Sequence, residues 1–145
     1  MAALSDYLEN QLVDHIFRTA SLSKPTNTFI ALLTAAADDT GGGTEVTGGS
    51  YARVSVLSAD ASWNGTHGTT TGASSGTDGT IDNAIIVTFP APTANWGLIT
   101  HFAIYDASIA GNLIIHAALT TPKTVNNGDA APSFAVGALT FQIDD

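Results

Sequence analysis

The chain has 145 residues, of which 4 are basic and 13 acidic, giving a net charge of −9, while 44% are hydrophobic and 12% charged. That length fits one domain spanning residues 1–145 and burying roughly two-thirds of its unfolded surface, and the apolar share excludes disorder by composition. Arg18, Lys24, Arg53 and Lys123 are scattered, which excludes nucleic acid and anionic membranes as partners, and the lack of cysteine excludes disulfides and thiolate-bound metals.

Residues 4–18, LSDYLENQLVDHIFR, have helical periodicity. Leu4, Leu8, Leu12 and Ile16 recur every fourth residue, and Tyr7, Val13 and Phe17 widen the stripe. Ser5 or Asp6 can cap this helix; Asp6 and Glu9 lie where its dipole favours acids, and Arg18 where it favours a base. The stripe can pack on the chain's own sheet or on a neighbouring subunit, so Tyr7 and Phe17 are interface candidates.

From Thr28 onward the pattern is β. TFIALLT at 28–34 is a short strand bounded by turn residues. YARVSVL at 51–57 alternates, placing Tyr51, Arg53, Ser55 and Leu57 on one face and Ala52, Val54 and Val56 on the other. Residues 58–79 are rich in Gly, Ser and Thr and predict a long loop, or an arm that orders on a partner. Further strands are expected at 81–89, 98–106, 112–119 and 133–143, with DASIAGN at 106–112 joining two of them as a hairpin. The fold expected is mainly β: an antiparallel β-sandwich or jelly-roll-like domain over 28–145, with the N-terminal α-helix packed outside. No apolar run approaches the roughly 20 residues of a membrane helix. MAALSDYLEN lacks the basic start of a signal peptide, so synthesis in a host cytoplasm is expected.

Motifs that carry chemistry are scarce. Asp38, Asp39 and Glu45 flank glycines without the spacing of a calcium loop, and acids in turns ordinarily face water. His15, His67, His101 and His116 form no HxH or HExxH pair. Gly72-Ala-Ser-Ser-Gly76 has the nucleophile-elbow pattern around Ser74, but it sits in a low-complexity loop with no helix after it. We therefore expect no enzyme activity, catalytic residue, cofactor or metal. Trp63, in the loop, is either a contact anchor or a core residue, whereas Trp96 precedes a strand and should cover the core edge.

GGGTEVTGGSYARVSV at 41–56 resembles a phosphate loop in glycine content alone. It lacks the Gly-Lys-Ser/Thr ending and feeds a strand, not a helix whose N-terminus could bind an anion. Its glycines suit positive φ and close backbone approach. Arg53 stands out in so acidic a chain. It is either in a surface ion pair with Asp or Glu or a bidentate clamp across a subunit boundary. With Tyr51 beside it, Arg53 joins Trp63, Tyr7 and Phe17 as the interface candidates.

LSDYLENQLVDHIFR, GGGTEVTGGSYARVSV, Thr93 to Ala107 (TANWGLITHFAIYDA) and GNLIIHAALTTPKTVNNGD together resemble a family of small tailed-bacteriophage virion proteins, labelled tail fibre or capsid decoration proteins. The resemblance spans nearly the whole chain, with 59–79 the least matched part. It implies a β-rich virion subunit that works by assembly in many copies. The function expected is a capsid decoration (cement) protein, a homotrimer bridging neighbouring copies of the major capsid protein. The alternative is a tail fibre or fibre adaptor bound to tail proteins.

Overall fold

The computed structural model describes residues 3–77 and 79–143. Among them the chain is mainly β with one N-terminal helix, as the sequence predicts. In order, the elements are β1 (Ala3–Leu4), α1 (Asp6–Phe17), β2 (Asn27–Ala35), β3 (Thr44–Glu45), β4 (Val54–Leu57), β5 (Trp63–Asn64), β6 (Thr80–Asn83), β7 (Val87–Thr88), β8 (Gly97–Tyr105), β9 (Leu113–Val125), β10 (Ser133–Phe134) and β11 (Thr140–Gln142).

The central sheet runs β1-β9-β8-β2-β3, and β4 pairs with the same edge of β2 as β3. All its ladders are antiparallel. Its long members, β2, β8 and β9, are rich in β-branched and aromatic residues, which fit a pleated, buried surface. Period-two alternation divides them between two faces. Ile30, Leu32, Phe102, Ile104, Ile115 and Ala117 join Val87, Phe89 and Leu139 in the main core. Ala31, Leu33 and Ala103 point the other way and pack with Ala37, Tyr105 and Leu113. A sheet covered on both faces explains why β2 reads as a continuous apolar run.

The segments expected as strands at 81–89 and 133–143 are each split in two. Asp82 faces Thr140 and Val87 faces Phe134, with 83–86 opposing 135–139, four residues against five. Asn83 fills this break. Fully buried, it donates from Nδ2 to the carbonyls of Ile85 and Ala135, both at 2.7 Å, and accepts the Leu139 N–H at 2.8 Å.

The helix starts two residues later than the periodicity suggests. Ser5 is extended (φ −80°, ψ 155°) and accepts the Leu8 N–H, so it acts as the N-cap. Its hydroxyl donates to the Leu113 carbonyl and its N–H to the Ile114 carbonyl. Leu4 is thereby drawn out of the helix to pair with Ile115 on β9.

The early part of the segment expected as a loop or arm lies on the body. Trp63 and Asn64 pair with Asn83 and Asp82, and Ser62 is buried. Asn83→Ala should lower unfolding free energy by about 3 kcal/mol, because it removes three hydrogen bonds and leaves the buried Leu139 N–H and the part-buried carbonyls of Ile85 and Ala135 without their side-chain partner. Asn83→Asp keeps the acceptor but loses both donors, and chemical denaturation should place it below wild type as well.

Candidate interface sites

Gly48, Gly49 and Ser50 all have left-handed φ (73°, 55° and 62°), so the chain reverses sharply before Tyr51. A Cβ at Gly49 would come within 2.9 Å of the Ala94 backbone nitrogen, and the Gly49 carbonyl accepts the Trp96 indole N–H at 3.0 Å. This is the close approach that the glycines suggest in sequence. It lays Tyr51 against Phe89 and edge-on to Trp96, with ring centroids 6.3 and 5.3 Å apart. Regular pairing begins only at Val54, three residues later than the alternation predicts.

The outer edge of β2 is shared between β4, which pairs with Asn27 to Ile30, and β3, which pairs with Leu33 and Ala35. Tyr51 closes the gap at Leu32: its hydroxyl accepts the Leu32 N–H and donates to Glu45 Oε1, both at 2.9 Å. Arg53 meets the same carboxylate with Nε and Nη2 at 2.9 and 2.8 Å, and its Nη1 donates to the carbonyls of Ala107 and Ala110 at 2.8 Å. The guanidinium carbon lies 3.6 Å from the Tyr105 ring centroid. Its side chain is 8% exposed and that of Glu45 25%.

Arg53 is therefore a bidentate clamp, but within one chain. Four of its N–H groups face partners of its own subunit, which corrects the clamp across a subunit boundary. Glu45, read as a solvent-facing turn acid, is instead the anchor of this pair. Burial pushes the Tyr51 hydroxyl far above its ordinary pKa of 10.0, with Glu45 adding to the shift. Burial also raises Tyr105, against the opposing Arg53 charge. Burial alone would lower the Arg53 pKa, but the bonds and charge of Glu45 outweigh it and raise it.

The clamp braces the β8–β9 hairpin. Asp106 accepts the Asn112 N–H and Nδ2, both at 2.7 Å, and Ala110 holds a left-handed φ of 52°. At Gly111 a Cβ would lie 2.6 Å from Asp106 Oδ1, so only glycine fits. The tip presents Ile109, 84% exposed.

Tyr7 and Trp63 line one groove of about 780 Å³ between α1 and the 58–74 segment, floored by Ile104, Ile115 and Phe141. Trp63 packs on the core and sits edge-on to Phe141, so it is both core-attached and groove-lining. Trp96 is 5% exposed and covers the core, as expected. Phe17 stands apart on the helix, 79% exposed. Thus the structure joins Tyr51 with Arg53 and Tyr7 with Trp63, and leaves Phe17 on a separate surface. Sequence reasoning missed Tyr105 and Ile109. Nothing in the pattern marks Tyr105, whereas Ile109 amid turn residues was a visible signal.

Ser74 accepts the Thr66 N–H at 3.4 Å, while His67 Nδ1 faces Thr69 and makes no hydrogen bond to Ser74. Asp38 binds the Thr40 hydroxyl and the N–H groups of Thr40 and Gly42, and the Thr40 hydroxyl bond foremost lowers its pKa. His116 Nε2 meets Asp39 at 3.2 Å. Among the described residues no helix is long and apolar enough to cross a membrane.

Residues 3–142 match the family model described as Gp80, Podophage GP4 fiber I protein gp80. The chain belongs to this family. No curated protein matches it. Membership makes it a phage structural protein with a place in the virion, and the Gp80 match covers both the clamp and the groove.

Arg53→Ala should destabilise the chain by about 3 kcal/mol, since it strands the Glu45 carboxylate. Arg53→Lys should recover less than half of that loss, because an ammonium cannot bridge both carboxylate oxygens and the hairpin carbonyls. Thermal melts of the dilute protein check both. The neutral Tyr51 hydroxyl, with its raised pKa, contributes stability that is intact below pH 10.0 and is lost as the pH rises beyond it. Tyrosinate absorbance should therefore appear later in the folded chain than in urea, and Tyr51→Phe should weaken the alkaline fall in stability.

Proposed function

We propose that the protein is a non-enzymatic subunit of the phage tail fibre, assembled as a closed homo-oligomer, with a trimer expected, and bound to tail proteins. One observation carries this reading: α1 has no buried residue, and Val13, Ile16 and Phe17 are 51, 64 and 79% exposed. A twelve-residue helix is marginal in water without a packed face, and clustered exposed apolar side chains mark contact surfaces. The braced hairpin presenting Ile109 supplies a second contact point of the same kind.

The capsid decoration role draws on the same exposed surface. The fibre description of the family weighs for the tail. The low charge also favours assembly, since few long, solvated side chains need ordering at a contact. The absence of catalysis is part of the proposal: the Ser74 loop lacks a hydrogen-bonded base among the described residues.

Quantitative gels of purified virions test the position. A fibre subunit should appear far below the major capsid protein, at a copy number set by tail symmetry, and virions lacking it should keep their DNA on heating but fail to adsorb. A band comparable with the capsid protein, and heat-labile virions without it, would place the protein on the shell.

A further inference from the structure

Two asparagines of the chain precede a glycine, in Asn64-Gly65 and Asn127-Gly128. In such a pair the glycine nitrogen, with no Cβ beside it, can attack the asparagine side-chain carbonyl, so the step is labile unless the fold restrains it. Here the fold restrains the two unequally. Asn64 is half-buried on β5 opposite Asp82, and its Nδ2 donates to Asp82 Oδ1 at 2.7 Å. Gly65 donates its N–H to the Thr69 carbonyl at 2.9 Å, and a Cβ on it would lie 2.6 Å from Ser74 Oγ, so the step is crowded as well as tied. Asn127 is exposed in the turn just past β9, which the Asp129 N–H closes on the Asn126 carbonyl at 3.2 Å. Its side chain makes no hydrogen bond among the described residues. The space beside Gly128, which has φ 79°, is open, and its nitrogen is held by a single bond, to the Pro92 carbonyl at 3.0 Å.

We infer that Asn127 is a site of spontaneous covalent modification, deamidation through a cyclic imide, and that Asn64 is shielded from it. Opening one exposed turn frees the Gly128 nitrogen, whereas Asn64 must also leave Asp82 and its strand partner. A bond then forms between the Gly128 nitrogen and Asn127 Cγ. The Cγ–Nδ2 bond breaks, and Nδ2 leaves as ammonia with the proton that the glycine nitrogen gives up. Water opens the imide at Cγ to give aspartate, or at the backbone carbonyl to give isoaspartate, in which the chain runs through the side chain. Either product adds one negative charge to the net of −9. Isoaspartate also lengthens a turn whose bonds to Pro92 and Asn95 hold it against the segment before β8. A subunit built into a virion is not renewed by synthesis, so the change accumulates with age.

Peptide mapping by mass spectrometry tests this on the full chain kept at mildly alkaline pH, with isoaspartyl methyltransferase labelling to mark isoaspartate. Asn127 should convert roughly tenfold faster than Asn64 in the folded protein, as the extra hydrogen bond and strand pairing of Asn64 imply. In urea the two should convert at similar rates, because both precede glycine. Asn127→Gln should leave the melting temperature unchanged, since that side chain bonds to nothing, and should remove the acidic species that ion exchange resolves from the ageing wild type. Asn64 converting as fast as Asn127 in the folded chain overturns the inference. So does an acidic species that survives Asn127→Gln, or an Asn127 that converts in urea and not in the folded chain.

Discussion

The Arg53–Glu45 pair is the interaction on which this structure turns. It joins three parts that have no covalent reason to meet: the strand after the glycine turn, the outer edge of β2, and the β8–β9 hairpin. Glu45 lies on β3, and its carboxylate also receives the hydroxyl that satisfies Leu32. Removing either charge would leave its partner in a poorly solvated site, which costs more than the intact pair contributes. The clamp therefore acts mainly as a register device: with it in place, Tyr51 packs on Phe89 and Trp96 and the hairpin tip is held in one conformation.

The body so organised differs from what is attached to it. At the centre of β2, β8 and β9 apolar residues are buried on both faces of the sheet. On α1 they are not, although Ser5 fixes the helix start against β9 and His15 Nδ1 accepts the Leu22 N–H to fix the return. The helix is thus anchored at both ends with one apolar side open. A clamp satisfied within the chain and a helix with one side left open are what the proposed assembly would need.

Much of this was legible in the sequence, for identifiable reasons. β2, β8, and the hairpin at 106–112 announce themselves through β-branched runs and turn residues, and the helix through its spacing. The resemblance carried by the glycine-rich word and the 93–107 segment pointed to the phage family that the match over 3–142 establishes. Other features depend on tertiary contacts that no local pattern encodes. Asn83 looks like an ordinary strand-end residue until its three backbone partners are seen. Arg53 was rightly singled out as an unusual cation, but its partner lies across a turn whose path is set by three left-handed residues. Leu4 lost its place in the helix because capping by Ser5 requires an extended backbone there.

Hydrogen exchange on the isolated chain, dilute and then concentrated, tests the contrast between closed body and open helix most directly. The account predicts slow exchange at Leu32 and along β8 in both samples. It predicts fast exchange over the last two turns of α1 when dilute and marked slowing when subunits associate. A helix as protected as β8 in the dilute monomer, with no change on concentration, would contradict it.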